Sequence, residues 1–515
     1  MIITGIEKDP DLALIKAKML GSLLYFIEVF FKLRTGREFV ISQPVGRESH
    51  HITICRELTN IFNLQESRLL INVAPGHGKS TFLVYFVAWA FAHYPDCQFL
   101  YISYSHDLAA KHTASIKEIM QMAQYKKFFG IEISRDSSAK DDFKTTSGGA
   151  VKAFGSSGGI TGQDAGLPNL NRFSGAVLLD DMHKPLEVFS DTIREGVIVN
   201  YNNTIKPRPR GPNVPIVGIG QMLHEADLFA YLRKNSDGQS WKKVILKSID
   251  DSGNILCPSI TPREMLIREQ KYNPYVFSAQ YQQEPQPSGG GIFKPEWFEL
   301  LVEEPESFVT FITVDTAETD KNYNDATVFS FWGVYKIKNL GIETGSYGLH
   351  WIDCSVLHVE PADLEPEFRS FYSECMLYKC KPSFVAIEKK STGTTLISTL
   401  KKFRGLEVRE VDRTKSSGSK ISRYLEAQPY VAKRLISFNK YAKHLNICIE
   451  QCAKVTANNT HRHDDIVDTM YDAIKIGLIN QSLHKQYIKD KKPSAASEIA
   501  EHFKNVNRLR SDAWQ

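Results

Sequence analysis

The segment Ala74-Pro-Gly-His-Gly-Lys-Ser-Thr81 restricts the fold of this chain more than any other feature of its sequence. The apolar run 69–73 before it predicts a buried strand, and the apolar run 82–92 after it predicts a helix. A strand, a glycine-rich turn and a helix in this order form the context in which a P-loop binds phosphate. We therefore predict an α/β fold that begins with a P-loop NTPase domain of the ASCE-like type, built on a parallel sheet.

Residues of this loop have expected roles in binding a nucleotide. Its two glycines let backbone N–H groups turn toward phosphate oxygens, and the following helix adds the partial positive charge of its N-terminus. Lys79 is expected to reach the β- and γ-phosphates of ATP, and the Ser80 hydroxyl to bind Mg²⁺. A loop that carries Gly-Lys-Ser by chance is the alternative, since Val73 replaces the usual leading glycine. The residues predicted to bind ATP are Pro75, Gly76, His77, Gly78, Lys79, Ser80 and Thr81.

An acidic pair completes the predicted ATPase site. The apolar run 176–179 ends in Asp180 and Asp181. Asp180 is predicted to hold Mg²⁺, directly or through water, and Asp181 to orient the attacking water as a base. Many such ATPases have glutamate there, so the role of Asp181 stays open, and a solvated acidic turn is the alternative. A further run, 215–219, leads to Gln221, a candidate sensor of the γ-phosphate at the carboxyl edge of the sheet.

The cluster Pro285-Gln-Pro-Ser-Gly-Gly-Gly291 predicts a linker to a second domain. After it, three predicted strands precede a helix, a strand and another helix, and this order predicts an RNase H-like fold. The predicted organisation is a helical region at 1–45, a P-loop ATPase domain at 46–284, a linker at 285–303, an RNase H-like nuclease domain at 304–480 and a polar tail at 481–515.

Acidic residues of the second domain stand where a two-metal nuclease needs them. Asp315 and Glu388 end predicted strands, while Asp464, Asp465 and Asp468 open the last predicted helix. Acids three or four residues apart share a helix face, where their charges repel unless a cation offsets them. Compensation of the helix dipole is the alternative explanation. Carboxylates suit hard ions, so we predict that these acids bind two Mg²⁺ or Mn²⁺ ions.

Composition allows a nucleic-acid partner without demanding one. A net charge of +4 over 515 residues means that DNA would need a local basic surface. The longest apolar runs are too short to cross a membrane. Cys448 and Cys452 raise the question of zinc with His461 and His463, but buried free thiols are favoured. Basic candidates for phosphate contacts, with a solvated basic face as the alternative, are Lys389, Lys390, Arg413, Lys415, Lys420 and Arg423.

Several motifs together resemble the large terminase subunit of tailed bacteriophages over about residues 48–475. Besides the loop and the acidic pair, they are Tyr104-Ser-His-Asp-Leu-Ala109, Gly158-Gly-Ile-Thr-Gly162, His224-Glu-Ala-Asp-Leu228 and Phe277-Ser-Ala-Gln-Tyr-Gln-Gln-Glu-Pro285. The resemblance implies ATP-driven movement of double-stranded DNA into a procapsid and cleavage of concatemeric DNA. It places one acid of the last helix in the metal site, Asp465 first and Asp464 next, and Asp325 matches a further family acid.

The same resemblance implies partners and a cellular place. The partners are double-stranded DNA, the portal protein and a small terminase subunit, with the chain a homopentamer on the procapsid or a monomer in solution. The expected place is the host cytoplasm, docked transiently on the procapsid, absent from the mature virion and away from membranes. A helicase or translocase with an accessory nuclease-like domain is the alternative function, and a regulatory ATP-binding module is another.

The chain departs from the family pattern in its coupling motif, where Gln221, Met222 and Leu223 replace the usual first three residues. An arginine finger cannot be placed by motif. Its candidates are Arg135, Arg172, Lys140 and Lys144, and the candidates for adenine contact are Gln43 and His51.

Overall fold

The computed structural model describes residues 10–160, 162–285, 291–317, 326–339, 342–360, 362–389, 391–403, 405–413, 419–456 and 465–483. The chain forms two compact units, Met1–Pro287 and Ser288–Gln515. The division falls within the Pro/Gly/Ser cluster, of which residues 286–290 lie outside the described part. Across the described residues, we find no helix with the length and apolar character needed to span a lipid bilayer.

The first unit is organised around a sheet for which eight strands are described, in the order β3-β4-β5-β2-β6-β7-β1-β8. Neighbouring strands from β5 to β8 in this order run parallel, while β4 pairs antiparallel with β3 and β5. The strands are β1 (Arg68–Val73), β2 (Gln98–Ser103), β3 (Ile133–Ser138), β4 (Asp142–Thr145), β5 (Ala150–Gly155), β6 (Gly175–Asp180), β7 (Ile216–Gly220) and β8 (Lys242–Leu246).

Helices cover this sheet, so its central strands are buried along almost their whole length, as the near-continuous apolar runs predict. The most apolar helix is α4, which follows the P-loop. Helix α2 buries Phe30 against Tyr125, with ring centroids 5.6 Å apart. The helices are α1 (Pro10–Gly21), α2 (Leu23–Thr35), α3 (His50–Phe62), α4 (Lys79–His93), α5 (His106–Gln121), α6 (Ala123–Phe129), α7 (Asp191–Asn200), α8 (Leu228–Arg233), α9 (Arg263–Tyr272) and α10 (Pro274–Val276).

The second unit contains a sheet for which seven strands are described, in the order β14-β13-β10-β11-β12-β15-β9. Its antiparallel centre, β10-β11-β12, is flanked by parallel pairs on both sides. The strands are β9 (Glu299–Leu301), β10 (Ser307–Asp315), β11 (Thr327–Asn339), β12 (Ile342–Leu357), β13 (Pro382–Glu388), β14 (Val408–Val411) and β15 (Ile436–Asn439). The helices are α11 (Leu364–Cys375), α12 (Ser391–Leu400), α13 (Lys420–Ala432), α14 (Leu445–Lys454) and α15 (Asp465–Ile474).

The predicted fold class is confirmed in both units. A parallel sheet carries the P-loop between β1 and α4, and three antiparallel strands lead through α11 to the parallel strand β13. Strands β11 and β12 extend beyond their buried residues into an exposed, polar end. The polar end of this hairpin is paired by Lys336 Nζ and Glu343 Oε2, 2.5 Å apart. A cross-strand ion pair of this kind supports strand structure where hydrophobic alternation has ended.

Candidate active sites

The P-loop has the backbone conformation that its two glycines allow. Gly76 has φ +79° and Gly78 has φ +76°, in the left-handed region that is open mainly to glycine. Helix α4 begins at Lys79 directly after Gly78, and no side chain caps its first turn. The first N–H groups of a helix have no partner within the helix, so this end of α4 is suited to binding an anion.

Lys79 is buried at the base of this loop. Its Nζ lies 3.5 Å from the Val73 carbonyl oxygen and 3.4 Å from that of Ala74. The same Nζ lies 3.9 Å from Asp181 Oδ2. The ammonium group is thus held between the start of the loop and the acidic pair that follows β6.

Asp180 is fully buried at the carboxyl end of β6, beside β2. Its Oδ2 accepts a hydrogen bond of 2.6 Å from the Tyr101 hydroxyl and lies 3.7 Å from His112 Nε2. Burial lowers the pKa of His112 to about 4, so the imidazole is neutral near pH 7. Burial raises the pKa of Asp180, although the Tyr101 and Ser80 hydroxyls and the charge of Lys79 oppose that rise. Among the described residues, the other oxygen, Oδ1, has no hydrogen-bond partner.

Asp181 follows β6 in a left-handed backbone conformation and contacts the end of the neighbouring strand β7. It has φ +45°, and its Oδ1 accepts a hydrogen bond of 3.3 Å from the backbone N–H of Gln221. Burial raises the pKa of its carboxyl, an effect that Lys79 opposes and Asp180 reinforces. The Gln221 side-chain oxygen is buried and makes no hydrogen bond to a described residue. The structure therefore brings Lys79, Asp180, Asp181 and Gln221 to one edge of the sheet.

The segment after Gln221 is fixed by residues that the sequence motifs did not assign. Asp227 accepts hydrogen bonds from the N–H groups of Leu223, His224 and Ala230, at 2.8, 3.1 and 2.8 Å. The Gln283 side chain accepts a hydrogen bond of 3.0 Å from Met222 N–H. Gln283 is fully buried. Gln283, which belongs to the motif at 277–285, thus holds the segment that follows Gln221, the candidate sensor.

A histidine cluster packs behind the P-loop. The rings of His50 and His51 lie 3.9 Å apart, and those of His50 and His77 lie 5.0 Å apart. Burial lowers the pKa of His50 to about 2 and that of His51 to about 4, so both are neutral near pH 7. His51 was a candidate for adenine contact and lies in this buried cluster, whereas Gln43 is exposed.

The candidates for an arginine finger lie away from the Lys79 edge of the same sheet. Arg172 Nη2 lies 2.6 Å from Asp96 Oδ2. Both residues precede their strands, so this pair lies at the amino edge, opposite the P-loop. Arg135, Lys140 and Lys144 lie on or beside the β3–β4 hairpin, and β3 and β1 are separated by five strands of the sheet. These positions give no contact between the four candidates and the P-loop of the same chain among the contacts described.

In the second unit, Asp315 and Glu388 end neighbouring parallel strands. Val314 of β10 pairs with Ile387 of β13, so the next residue of each strand stands at the same edge. Both carboxylates are buried. The loops that follow are joined by Thr392, whose hydroxyl donates to the Ala317 carbonyl oxygen at 2.7 Å.

Helix α15 adds two buried acids to this edge. It is fastened to β10 by a hydrogen bond of 3.1 Å from the Thr313 hydroxyl to the Thr469 carbonyl oxygen. This contact helps place Asp468 and Asp472, both nearly inaccessible, beside the strand ends. Asp472 was not predicted as a site residue, although its spacing of four residues from Asp468 places both on the same helix face.

Arg413 joins these acids. Its Nη1 lies 2.8 Å from Glu388 Oε2 and 3.4 Å from Asp468 Oδ1, and its Nη2 lies 2.7 Å from Asp472 Oδ2. The neighbouring acids, Asp315 among them, raise the pKa of Arg413 against the opposing effect of burial. Burial raises the pKa of Asp472 to about 6 despite Arg413. The site is therefore a buried carboxylate cluster with an internal guanidinium.

Further cations reach Asp468. Lys420 Nζ lies 3.0 Å from its Oδ2, and Arg423 Nη1 lies 3.5 Å from its Oδ1. Lys389 faces Glu410 instead, with Nζ 3.4 Å from Oε2. Asp465 is the first residue of α15 and is partly exposed. Four predicted residues lie outside the described part of the chain, namely Asp325, Lys390, Lys415 and Asp464.

Comparison with known proteins gives a family for part of the second unit. The model of the terminase RNase H-like domain matches residues 374–475, a segment that includes Glu388, Arg413 and Asp468. No curated protein matches the chain.

Solved structures of phage terminases are similar to the chain at low identity. The large terminase of a thermophilic bacteriophage is 12% identical, with 82% of this chain and 98% of that chain covered and a TM-score of 0.48. The HK97 bacteriophage large terminase is 10% identical, with coverage of 89% and 99% and a TM-score of 0.35. The ATPase domain of the Thermus phage P74-26 large terminase is 15% identical, with coverage of 46% and 94% and a TM-score of 0.28.

The chain carries two acidic sites, and the segment matched by the family model belongs to the second unit. A P-loop with an acidic pair lies in the first unit, and buried acids on an RNase H-like sheet lie in the second. Residues 374–475 of the second unit match the terminase RNase H-like domain, and this segment follows a unit that carries a P-loop between β1 and α4.

Proposed function

We propose that this chain packages viral DNA, with an ATPase in the first unit that drives double-stranded DNA into a procapsid and a nuclease in the second that cuts concatemeric DNA. The observation that carries this proposal is the pair of acidic sites, one at Lys79 and Asp180 and the other at Asp315 and Glu388. The second site lies in the unit of which residues 374–475 match the terminase RNase H-like domain. A helicase with an accessory domain is not favoured, because it gives no reason for buried carboxylates around Arg413.

The residues around the P-loop fit ATP with Mg²⁺. Asp180 Oδ1 is a buried carboxylate oxygen without a hydrogen-bond partner among the described residues, and the Ser80 hydroxyl is close enough to affect the Asp180 pKa. These are the hydroxyl and carboxylate that hold Mg²⁺ in a P-loop site. Bound there, Mg²⁺ would neutralise charge on the β- and γ-phosphates. Tyr101 would fix the carboxylate through its hydrogen bond to Oδ2.

The other residues of this site have separate roles in hydrolysis. Lys79 would exchange its contacts with backbone carbonyls for the phosphate oxygens of ATP. Asp181, with a raised pKa, would orient the attacking water and accept its proton. Gln221 has its N–H on Asp181 and a side-chain oxygen without a partner among the described residues, so it would report the loss of the γ-phosphate to the segment that follows.

The second site fits hard divalent ions by its donor set. Asp315, Glu388 and Asp468 are buried carboxylates on neighbouring elements, and such oxygens are the ligands of Mg²⁺ and Mn²⁺. Two such ions would activate water and stabilise the leaving oxygen. We prefer Asp468 to Asp465 as the acid from the last helix, because Asp468 and Glu388 share one guanidinium. Lys420 and Arg423 would turn from Asp468 to the DNA backbone, which they would hold without recognising bases.

The proposed function implies binding partners and a cellular location. DNA, a portal protein and a small terminase subunit would be the partners, with the chain acting as a ring, a homopentamer on the procapsid. It would work in the host cytoplasm and leave the procapsid once the DNA is inside.

Two single variants test the division of labour. Lys79→Ala should lower ATP turnover by at least about 100-fold, since it removes the main cation of the nucleotide site. Asp315→Ala should lower Mg²⁺-dependent nicking of plasmid DNA by at least about 100-fold while ATP turnover persists. Steady-state phosphate release and gel-based nicking are the two measurements, made on the full chain.

Exposed residues of the same charge supply matched controls. Lys127→Ala on α6 and Asp363→Ala before α11 should leave both activities unchanged, because both side chains are exposed and neither belongs to a proposed site. Loss of nicking with intact ATP turnover in Lys79→Ala would contradict the proposal. Strand unwinding with no nicking by the wild-type chain would favour a helicase instead.

A further inference from the structure

A second group of metal-binding side chains lies in the second unit, where β12 approaches the start of α14. Asp353 and Cys354 belong to β12, and His444 directly precedes α14. One ligand atom from each of these residues lies within 4.8 Å of the others. His444 Nδ1 and Asp353 Oδ1 lie 3.5 Å apart.

An irregularity in β12 explains how two consecutive strand residues reach the same place. Successive side chains of a regular strand point to opposite faces of the sheet. Here Trp332 pairs with Trp351 while Phe331 pairs with Asp353, so Ile352 is an extra residue in β12. Such a bulge changes the direction of the side chains beside it. The Ile352 carbonyl oxygen accepts a hydrogen bond of 3.2 Å from the Asn439 side chain, which fixes the bulge at the end of β15.

The Asp353 carboxylate contacts the backbone of the next residue, Cys354. Its Oδ1 accepts a hydrogen bond of 2.8 Å from Cys354 N–H. Backbone support of this kind orients a ligand before an ion arrives. The carboxylate, the thiol and the imidazole therefore face one volume.

This volume is both polar and accessible. His444 Nδ1 is buried and makes no hydrogen bond to a described residue. Cys354 is buried as well, with 2% of its surface exposed. A cavity of about 220 Å³ lies against all three residues, large enough for an ion with several waters. A buried ring nitrogen that makes no hydrogen bond to a described residue, beside a carboxylate and a thiol in a polar cavity, fits a metal-coordination site.

The ligand types select the ion. Cysteine, histidine and aspartate are all side chains that bind Zn²⁺, and a thiol does not suit Mg²⁺ or Ca²⁺. Cys448 and Cys452, whose spacing suggested zinc, lie near this group, because the pKa values of Cys354 and Cys448 respond to the neighbouring thiols. They are not part of the ligand group itself, and Cys452 Sγ lies 3.9 Å from Met470 Sδ. Three protein ligands leave the fourth tetrahedral position to water from the cavity.

We propose that Asp353, Cys354 and His444 bind one Zn²⁺ ion through a carboxylate oxygen, the thiolate sulfur and Nδ1. Each ligand atom donates an electron pair, and the thiol proton of Cys354 passes to solvent on binding. No oxidation is involved. This site is separate from the carboxylate cluster around Arg413 and does not depend on the proposed nuclease activity.

The position of the ion suggests what it does. Helix α14 packs against α15, which carries Asp468 and Asp472. The ion would connect β12 to the first turn of α14 and so stabilise the helix pair on which those acids depend. Its role in this arrangement is structural, with the open position facing solvent.

Zinc content of the full-length chain tests the proposal. The parent protein is Asp315→Ala, which weakens the carboxylate site as a competitor for Zn²⁺. After exposure to Zn²⁺ and dialysis into buffer with Mg²⁺, we expect one zinc per chain by mass spectrometry of the metals. Cys354→Ser, His444→Asn and Asp353→Asn should each weaken zinc binding by at least about tenfold.

A spectrum and a stability measurement separate a lost ligand from a damaged fold. Co²⁺ in the parent should show a thiolate charge-transfer band that Cys354→Ser loses and the control Cys380→Ser keeps. Zn²⁺ should raise the thermal midpoint of the parent but not of the three variants, whose midpoints without metal should match the parent. The proposal is overturned if the parent binds no zinc, or if Cys354→Ser and His444→Asn retain one zinc per chain and the thiolate band.

Discussion

Two acids on the same face of α15 have different surroundings. Asp468 is buried and lies 3.0 Å from Lys420 Nζ and 3.4 Å from Arg413 Nη1. Asp465 is partly exposed at the first position of the helix, where it also compensates the helix dipole. Asp468 is connected with Glu388 through Arg413, which contacts both carboxylates.

We therefore expect Asp468→Asn to lower Mg²⁺-dependent nicking by at least about 100-fold, because a metal ligand is lost and three cations lose their shared partner. Asp465→Asn should lower nicking by less than about tenfold, since a dipole contribution is small. Nicking rates over a range of Mg²⁺ concentrations measure both effects. A larger loss of nicking in Asp465→Asn than in Asp468→Asn would show that Asp465 is the metal ligand.

Residues at strand ends were predictable from the sequence, and their buried partners were not. Asp180, Asp315 and Glu388 each follow an apolar run, so local pattern alone places them at a sheet edge. Tyr101 contacts Asp180 across 79 positions of sequence. No local pattern marks such a contact, because it arises only when β2 and β6 pair.

At the scale of elements, the segment Phe277–Tyr281 leads into two glutamines that hold neighbouring parts of the first unit. One of them holds the segment that follows Gln221, the candidate sensor. Gln283 accepts from Met222 N–H at 3.0 Å, and its own carbonyl oxygen accepts from Arg233 Nη1 at 2.6 Å. Gln282 adds a pair of hydrogen bonds to the backbone of Ile249, at 3.0 and 3.1 Å. The motif was recognisable in the sequence as a resemblance, but its contacts with the segment after β7 were not.

Gln283→Ala should loosen that segment while the P-loop stays formed. The buried Met222 N–H loses its acceptor, a change worth about 1–3 kcal/mol. We expect ATP turnover to fall at least about tenfold with little change in nucleotide affinity, measured by turnover and by equilibrium binding of a fluorescent ATP analogue. The control Gln239→Ala should change neither quantity. A weakened affinity with unchanged turnover would show that Gln283 serves nucleotide binding instead.

Helix α3 meets the P-loop through neutral, buried histidines, and this contact should depend on pH. The pKa values of His50 and His51, about 2 and about 4, lie below the ordinary 6.5, so below that pH the unfolded chain binds more protons. Stability of the first unit should then fall as pH decreases from 6.5 toward 4, by about 1.4 kcal/mol per pH unit for each histidine.

His50→Gln should make this fall less steep by about 1.4 kcal/mol per pH unit, because one buried imidazole of the histidine cluster is gone. Urea midpoints at several pH values measure the effect, with limited proteolysis to identify fragments of the first unit. His106→Gln is the control, since His106 is exposed. An unchanged slope in His50→Gln would mean that the histidine cluster does not limit stability in acid.

At the scale of the whole molecule, each proposed site is built from one unit alone. Lys79, Asp180 and Gln221 belong to Met1–Pro287, and Asp315, Glu388 and Asp468 belong to Ser288–Gln515. A ligand stabilises the folded state to which it binds and has no such effect on a unit that does not contain its site. The nucleotide and the nuclease metals should therefore protect different halves of the chain.

A non-hydrolysable ATP analogue with Mg²⁺, at about 100 times its dissociation constant, should stabilise the first unit by about 2.7 kcal/mol. Pulse proteolysis in urea, with the two units identified by mass, should show later cleavage of the first unit and unchanged cleavage of the second. Lys79→Ala should abolish this protection, whereas Asp315→Ala should keep it. Equal protection of both units by the analogue, lost from both in Lys79→Ala, would show that nucleotide binding is linked to the folding of the whole chain.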